Sequence, residues 1–441
     1  MRRRNFLLTS AGVAATAASP FAGAQQTPSA NRTPGAHDRI RIALLGCGGM
    51  GMGNLRNFLR IPNIQCAALC DVDDSRMDKT QRDYLTPVGQ RAEITTRDFR
   101  RILDRKDIDA VVIATPDHWH ALMSVMACQA GKDVFVQKPL ATSIAEGRAM
   151  VAAARKYNRI VQVGTQQRSM PHFQAAIAHV KSGALGRIRV VRAWAYLDAY
   201  ADIPAHPDSD PPAGVDYNMW LGPAPERPFN KNRFHFNFRW FWDYAGGLAT
   251  DWGAHMIDVG LWGMDAKAPI SAASTGGRIG YPEGPMETPD TQQILYRYPE
   301  FTLIWEHALG MGRGPEGRDH GIAFHGQDAM LIVDRFGWEV HPETDAISRP
   351  RQFRSTGIPR RPAGSTEQHE LHFVNCLRTR KRPNSDVEMA HNTMTVCHLG
   401  NIALRTGREV RWNGAAEQVI DDPEAQEFVS REYRAPWKLT V

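Results

Sequence analysis

The sequence predicts an α/β protein with two domains: a doubly wound parallel sheet first, then a second α/β domain on an open, mostly antiparallel sheet. Three observations point this way. Residues 39–165 alternate short apolar runs with helical stretches, the pattern of βαβ units around a parallel sheet. The first strand–helix junction carries Gly46-x-Gly48-x-x-Gly51. The chain has 441 residues, 42% of them apolar, which is enough for two or three domains with sizeable cores. Lys and Arg (53) barely exceed Asp and Glu (47), so charge does not point to nucleic acid. The composition also excludes a disordered chain and a small disulfide scaffold.

Residues 1–24 read as an export signal. Arg2, Arg3 and Arg4 precede a short Ala-rich apolar stretch, and Ala22-Gly23-Ala24 is a small-residue cleavage site. The run Arg3-Arg4-Asn5-Phe6-Leu7-Leu8 resembles a twin-arginine signal. The twin-arginine export machinery is then a partner, and the expected location is the periplasm or another exported compartment. Cleavage would remove three arginines, half of the formal +6. Residues 25–38 have a linker composition. No other stretch is long and apolar enough to span a membrane, so no stable anchor is expected. The six cysteines form no Cys-x-x-Cys pair and sit in apolar runs, which reads as buried small side chains.

Strands are expected at 40–45, 64–69, 110–115, 133–137 and 160–165, because continuous apolar runs of this length suit strands buried on both faces. Helices are expected at 50–60, 75–85, 98–104, 119–130 and 143–157. The last opens on Ser143-Ile144-Ala145-Glu146, a capping-box pattern. Residues 39–165 form the first domain and 166–441 the second. In the second, 303–309, 321–325 and 329–334 read as strands, and 370–380 and 391–406 as helices.

A lone G-x-G-x-x-G is weak evidence, but here it lies between a strand and a helix, and Asp71 follows Gly51 by 20 residues. That context reads as a dinucleotide site. Gly46 allows the tight turn, Gly48 the close approach of a pyrophosphate, and Gly51 tight helix–strand packing. The helix N-terminus, through Cys47, Gly49 and Met50, offers N–H groups to phosphates. Asp71 can hold ribose hydroxyls, and its charge would repel a 2′-phosphate, so NAD is favoured over NADP.

Two later loops lie at carboxyl ends of strands, where ligands bind in such sheets: Thr115-Pro116-Asp117-His118-Trp119-His120 and Gln137-Lys138-Pro139-Leu140. Farther on come Gly164-Thr165-Gln166-Gln167-Arg168 and a segment from Gly246 to Asp258 that contains Asp251 and His255. Together these resemble the Gfo/Idh/MocA oxidoreductases, the family of glucose–fructose oxidoreductase and inositol dehydrogenase. The resemblance covers the chain beyond the linker and implies a Rossmann domain followed by a domain whose sheet mediates homo-oligomerisation. It makes Lys138 the catalytic lysine of a Glu-Lys-Pro motif in which Gln137 replaces Glu, so the charge state of Lys138 is left open. It matches Asp251 and His255 to an Asp-x-x-x-His pattern. His255 is then the acid/base, and Asp251 orients it or holds a substrate hydroxyl. Thr115, Pro116, His118, Trp119, His120, Gln137 and Gln166 would neighbour the cofactor and Arg168 the substrate; Arg239 and Trp240, in the aromatic stretch 194–245, are further substrate candidates on composition. An Asp/His pair can also bind zinc, but no His-Glu-x-x-His and no Cys ligand set accompanies it, so no metal is expected.

Residues 194–245 are rich in aromatics interleaved with Arg233, His235 and Arg239, which suits a sugar's C–H faces and hydroxyls, although many of these rings can equally be core. The expected reaction is hydride transfer from a sugar or polyol carbon to a tightly bound nicotinamide, with no free cofactor pool outside the cytoplasm. Two alternatives stand beside it: an NAD-dependent glycoside hydrolase or lyase working by transient oxidation, and a non-catalytic sugar-binding protein.

Overall fold

The computed structural model describes residues 38–199, 203–345, 352–363 and 368–441. The expected export signal, and the expected linker apart from Asp38, lie outside the described residues. The first sheet is six-stranded and parallel. Its strands are β1 (Ile40–Leu45), β2 (Ile64–Cys70), β3 (Ile94–Thr96), β4 (Ala110–Ile113), β5 (Asp133–Val136) and β6 (Val161–Val163), in the order β3-β2-β1-β4-β5-β6. The order reverses between β1 and β4, which places a crevice at the carboxyl ends of these two strands. β4 and β5 are buried along their whole length, which is why they read as continuous apolar runs. β3 gave no such signal: it is three residues long, and of these only Thr96 is buried.

The helix Gly49–Leu59 covers one face of this sheet together with Gln368–Thr379, a helix more than 200 residues later in the chain. Phe58, Phe135 and Phe373 meet edge to face with ring centroids 5.5–6.1 Å apart, so the C-terminal part of the chain completes the first core. The helix Ile144–Lys156 begins as its capping pattern suggests, with the Ser143 side chain accepting from the Glu146 N–H. The Glu146 carboxylate instead accepts from Thr142 N–H at 2.8 Å and from the Tyr433 hydroxyl at 2.7 Å.

The second sheet has ten strands: β7 (Val190–Leu197), β8 (Ser271–Gly277), β9 (Thr291–Arg297), β10 (Thr302–Leu309), β11 (His320–His325), β12 (Ala329–Asp334), β13 (Gly337–Pro342), β14 (Ile358–Pro362), β15 (Val410–Asn413) and β16 (Gln418–Val419). They run in the order β14-β13-β12-β11-β7-β10-β9-β8-β15-β16. β7 and β10 are parallel, and every other neighbouring pair is antiparallel. The helices Gly253–Met264 and Val387–Thr406 pack against this sheet, which holds the first turn of Gly253–Met264 beside the crevice of the first sheet. All six cysteines are buried and free. Among the described residues no helix is long and apolar enough to cross a membrane.

Candidate active site

β1 runs into Gly46, whose φ of +93° and neighbours leave no room for a side chain: a Cβ there would lie 2.5 Å from the Ala114 carbonyl oxygen. A Cβ on Gly51 would lie 2.0 Å from the Gly46 oxygen. These contacts seat the helix Gly49–Leu59 on the β1–β4 junction. Its N-cap is Gly48, which has no side chain to satisfy the first-turn N–H groups, so these remain for an anion at a cleft that Gly48, Gly49 and Met50 line. At the end of β2, Asp71 accepts from Cys47 N–H (2.7 Å) with Oδ2 and from Asp73 N–H (3.0 Å) with Oδ1. Burial pushes its carboxyl above the usual range. Each oxygen retains a lone pair for a ribose hydroxyl. Cradle, helix terminus and carboxylate fit a dinucleotide. Arg76 and Arg97 line the same end.

The second domain closes over that end. Asp216 N–H donates to the Val72 carbonyl (2.9 Å), Asp74 N–H to the Gly214 carbonyl (3.2 Å), and His235 Nε2 lies 3.0 Å from Asp73 Oδ2. Burial, aided by Arg76, pushes the His235 ring down to about 4, so the neutral ring donates to Asp73. Met219 and Phe236 complete the wall.

At the other end of the cleft, β5 delivers Lys138, which is followed by a cis peptide bond to Pro139. Lys138 Nζ donates to Asp251 Oδ1 (2.5 Å) and to the Asp251 carbonyl (3.2 Å), and Arg239 Nε stands 3.8 Å from Asp251 Oδ2. Burial disfavours the Asp251 carboxylate, but Lys138, Arg239 and Arg335 together outweigh it and hold the carboxyl below its usual range. Gln137 turns away from Lys138. Its Nε2 donates to Asn54 Oδ1 (2.7 Å), and Asn54 Nδ2 donates to Glu370 Oε1 (2.8 Å). The negative charge at Lys138 thus comes from Asp251, 113 residues away, rather than from the neighbour in sequence.

Asp251 ends the short helix Gly247–Asp251, and His255 lies in the first turn of Gly253–Met264, with Trp252 between them. Asp251 does not orient His255: its oxygens are turned to Lys138 and Arg239. His255 is buried, and its Nδ1 has no hydrogen-bond partner. Burial, then Arg335 and Lys138, drive its ring well below the usual range, so it is neutral.

Thr115, Pro116, Trp119 and Arg239 line the cleft. Arg239 lies over the rings of Phe236 (4.2 Å) and Phe238 (4.9 Å). His118 and His120 lie behind the wall. His118 Nε2 is 2.9 Å from the Trp220 carbonyl, and burial pushes the ring to about 3. The His120 ring spans the carbonyls of Pro139 (2.6 Å) and Thr115 (2.9 Å), tying the Lys138 turn to the loop after β4. Gln166 opens a one-turn helix, Gln166–Ser169, and does not line the cleft.

Two expected substrate contacts are corrected. Arg168 is buried with both its Nε (2.7 Å) and Nη2 (2.8 Å) on Asp258, and its guanidinium lies 5.2 Å from the Trp262 ring centre, so it belongs to the packing of Gly253–Met264. Trp240 is fully buried and is core.

Asp117, which no motif singles out, opens a one-turn helix after β4 and lines the cleft with Lys138 and Arg239. Burial and, less strongly, Asp251 push its carboxyl up to about 7, against the pull of Arg239 and Lys138. Its place between five flagged neighbours was the available signal. Among the described residues no group of three or more His, Cys, Asp or Glu is arranged to hold a metal.

Comparison with known proteins gives the same picture. Residues 40–165 match an oxidoreductase family with an NAD-binding Rossmann fold, and residues 194–277 and 359–439 match that family's C-terminal alpha/beta domain. Levoglucosan dehydrogenase of Pseudarthrobacter phenanthrenivorans is 37% identical over 302 residues, 67% of this chain and 73% of the relative. A glycosyl hydrolase family 109 protein of Shewanella pealeana is 30% identical over 175 residues, 35% of this chain and 37% of the relative. An uncharacterized oxidoreductase, YrbE, of Bacillus subtilis is likewise matched over only 42% of its length. A solved levoglucosan dehydrogenase in complex with NADH and levoglucosan shares the fold, with a TM-score of 0.63 at 19% identity over 85% of this chain and 99% of that chain. The chain belongs to the Gfo/Idh/MocA oxidoreductase family and carries that family's NAD-binding Rossmann domain.

Proposed function

We propose that this protein is an exported, NAD-dependent oxidoreductase that acts on a hydroxyl of a sugar, sugar derivative or polyol and keeps its cofactor through turnover. The observation that carries the reading is that Lys138, paired with Asp251, lines the same cleft as the glycine cradle. The similarity to a levoglucosan dehydrogenase supports a carbohydrate substrate. Asp71, fixed at the end of β2 by two N–H donors, supports NAD over NADP, because a 2′-phosphate would meet its carboxylate. The hydrogen bonds that draw Gly214, Asp216 and His235 over the nucleotide end support retention. Homo-oligomerisation through the ten-stranded sheet is part of the same proposal.

When bound, the nicotinamide supplies the acceptor for the two electrons of a C–H bond. Lys138 would donate to the oxygen of the reacting hydroxyl and favour negative charge on it. His255, held neutral by its surroundings, would take the hydroxyl proton. Asp251 would fix the Lys138 ammonium, and Arg239 would brace Asp251 from the opposite side.

A second reading, redox-neutral glycoside hydrolysis by transient oxidation at the same residues, is favoured by the similarity to a glycosyl hydrolase family 109 protein. One assay separates the two. The protein is purified from the exported fraction with no added cofactor and given sugars and aryl glycosides. Stoichiometric reduction of retained NAD without aglycone release supports the oxidoreductase. Catalytic aglycone release without net reduction supports the hydrolase. No retained nucleotide and neither reaction defeats both. Export is tested by replacing Arg3 and Arg4 with Lys, which should leave the protein in the cytoplasm. Unchanged export would contradict the twin-arginine reading.

A further inference from the structure

The turn between β12 and β13 carries a cation, Arg335, that no carboxylate among the described residues pairs. Arg335 lies with its guanidinium carbon 4.5 Å from the centre of the Trp252 ring, and Trp252 is the residue between Asp251 and the helix that bears His255. The Trp252 and His255 rings are 6.0 Å apart. Arg335 Nε is buried with no hydrogen-bond acceptor, and among the described residues no carboxylate comes within ion-pair distance of this guanidinium.

The neighbouring acids are committed elsewhere. Asp334 accepts from Arg360 (2.7 and 2.9 Å), Arg318 (3.1 Å) and Phe336 N–H (2.7 Å). Glu339 is held by Arg318. Asp319 lies 2.9 Å from His320 Nδ1. Arg335 senses Asp251 and Asp319 only through space, and Asp251 already answers to Lys138 and Arg239. A partly buried guanidinium left without a counter-ion is a poor structural device, because desolvation is uncompensated. It suits an anion that arrives with the substrate, since the guanidinium fork matches carboxylate and phosphate geometry.

We propose that Arg335 binds an anionic substituent of the substrate, so that the protein acts on acidic sugars such as hexuronates rather than on neutral ones, the charged group lying on Arg335 while the reacting hydroxyl lies between Lys138 and His255. This rests on the carbohydrate reading above and narrows it. The arrangement also makes chemical sense of His255, whose ring is held neutral by burial and by the charges of Arg335 and Lys138. An anion on Arg335 would offset one of these cations and return proton affinity to the base when substrate is present.

The test is equilibrium binding by calorimetry to the protein carrying NADH, which can accept no hydride, using glucuronate, galacturonate, glucose, galactose and glucose 6-phosphate as probes. The hexuronates should bind at least tenfold more tightly than the matching hexoses. Arg335→Gln should lower that ratio about 10- to 100-fold, and Arg335→Lys should keep part of it. A glucose 6-phosphate preference that Arg335→Gln abolishes keeps the anionic class and changes the group from carboxylate to phosphate. The proposal is overturned if hexoses bind as tightly as both kinds of acidic sugar, or if Arg335→Gln leaves the ratio unchanged, including the case in which it alters only the oligomeric state. Because binding is read without turnover, an Arg335-dependent preference with no reduction of NAD by any sugar would defeat the oxidoreductase reading and leave this inference standing.

Discussion

The two ends of the cleft recognise their ligands by different means. The nucleotide end is built largely from backbone: Gly46, Gly48 and Gly51 bring N–H groups and a helix terminus to one point, and a single carboxylate, Asp71, is fixed by two N–H donors. The reacting end is built from charged side chains, with Lys138, Arg239 and Arg335 gathered around Asp251 from four separate stretches of the chain. Backbone recognition needs residues close in sequence and tolerates no added atoms. Charge recognition needs distant residues and depends on protonation. Substitutions should therefore fail by shape at one end and by charge at the other.

The largest expected effect lies behind the charged end and marks its boundary. Arg168→Met breaks a buried ion pair and leaves Asp258 with Thr393 as its remaining partner (2.9 Å). The expected loss is about 3–5 kcal/mol of stability in denaturant unfolding, with KM for the sugar little changed. A normal unfolding curve with a raised KM would move Arg168 back to the substrate. Next comes Gly51→Ala, whose Cβ would meet the Gly46 oxygen at 2.0 Å. NAD affinity, measured by fluorescence titration, should fall on the order of 10- to 100-fold, as expected for overpacking of about 1–3 kcal/mol. Unchanged affinity would show that the cradle does not set nucleotide binding.

The smallest effect is electrostatic. The Asp117 carboxyl is held at about 7, so it is neutral below that pH and ionised above it. An ionised Asp117 favours the positively charged oxidised ring over the neutral reduced one. The ratio of NAD+ to NADH affinity should rise by up to about tenfold as pH passes upward through 7, and Asp117→Asn should flatten it. A ratio independent of pH in the unsubstituted protein would remove Asp117 from the ring's surroundings.

What could be read from the sequence follows the same division. The strands beside the nucleotide are buried on both faces, so each is an apolar run, and the glycine spacing with Asp71 is local. The strands of the second sheet mix polar and apolar positions; β9 (TQQILYR) buries only alternate residues, and it gave no continuous run. At the reacting end, Lys138, Asp251 and His255 were recognised through motifs, but their partners were not. The counter-ion of Lys138 is 113 residues away, Gln137 points to Asn54, and Asp258 claims Arg168. Trp240 had been assigned to the substrate from composition in an aromatic segment, where core rings and site rings look alike. No local pattern marks Arg335, since what distinguishes it is three-dimensional: its Nε is buried without an acceptor, and among the described residues no carboxylate lies within ion-pair distance.

The central claim is that Lys138 acts on a sugar hydroxyl in the cleft whose other end holds NAD. Its most direct test is a single-turnover measurement on the protein and its Lys138→Ala variant, each purified with retained NAD. On addition of a sugar substrate, absorbance of the reduced nicotinamide should appear in the unsubstituted protein and be slowed by about a thousandfold in the variant, with retained nucleotide equal in both. Comparable reduction in the variant, or a variant that has lost its nucleotide, would contradict the assignment of Lys138 to the reacting end.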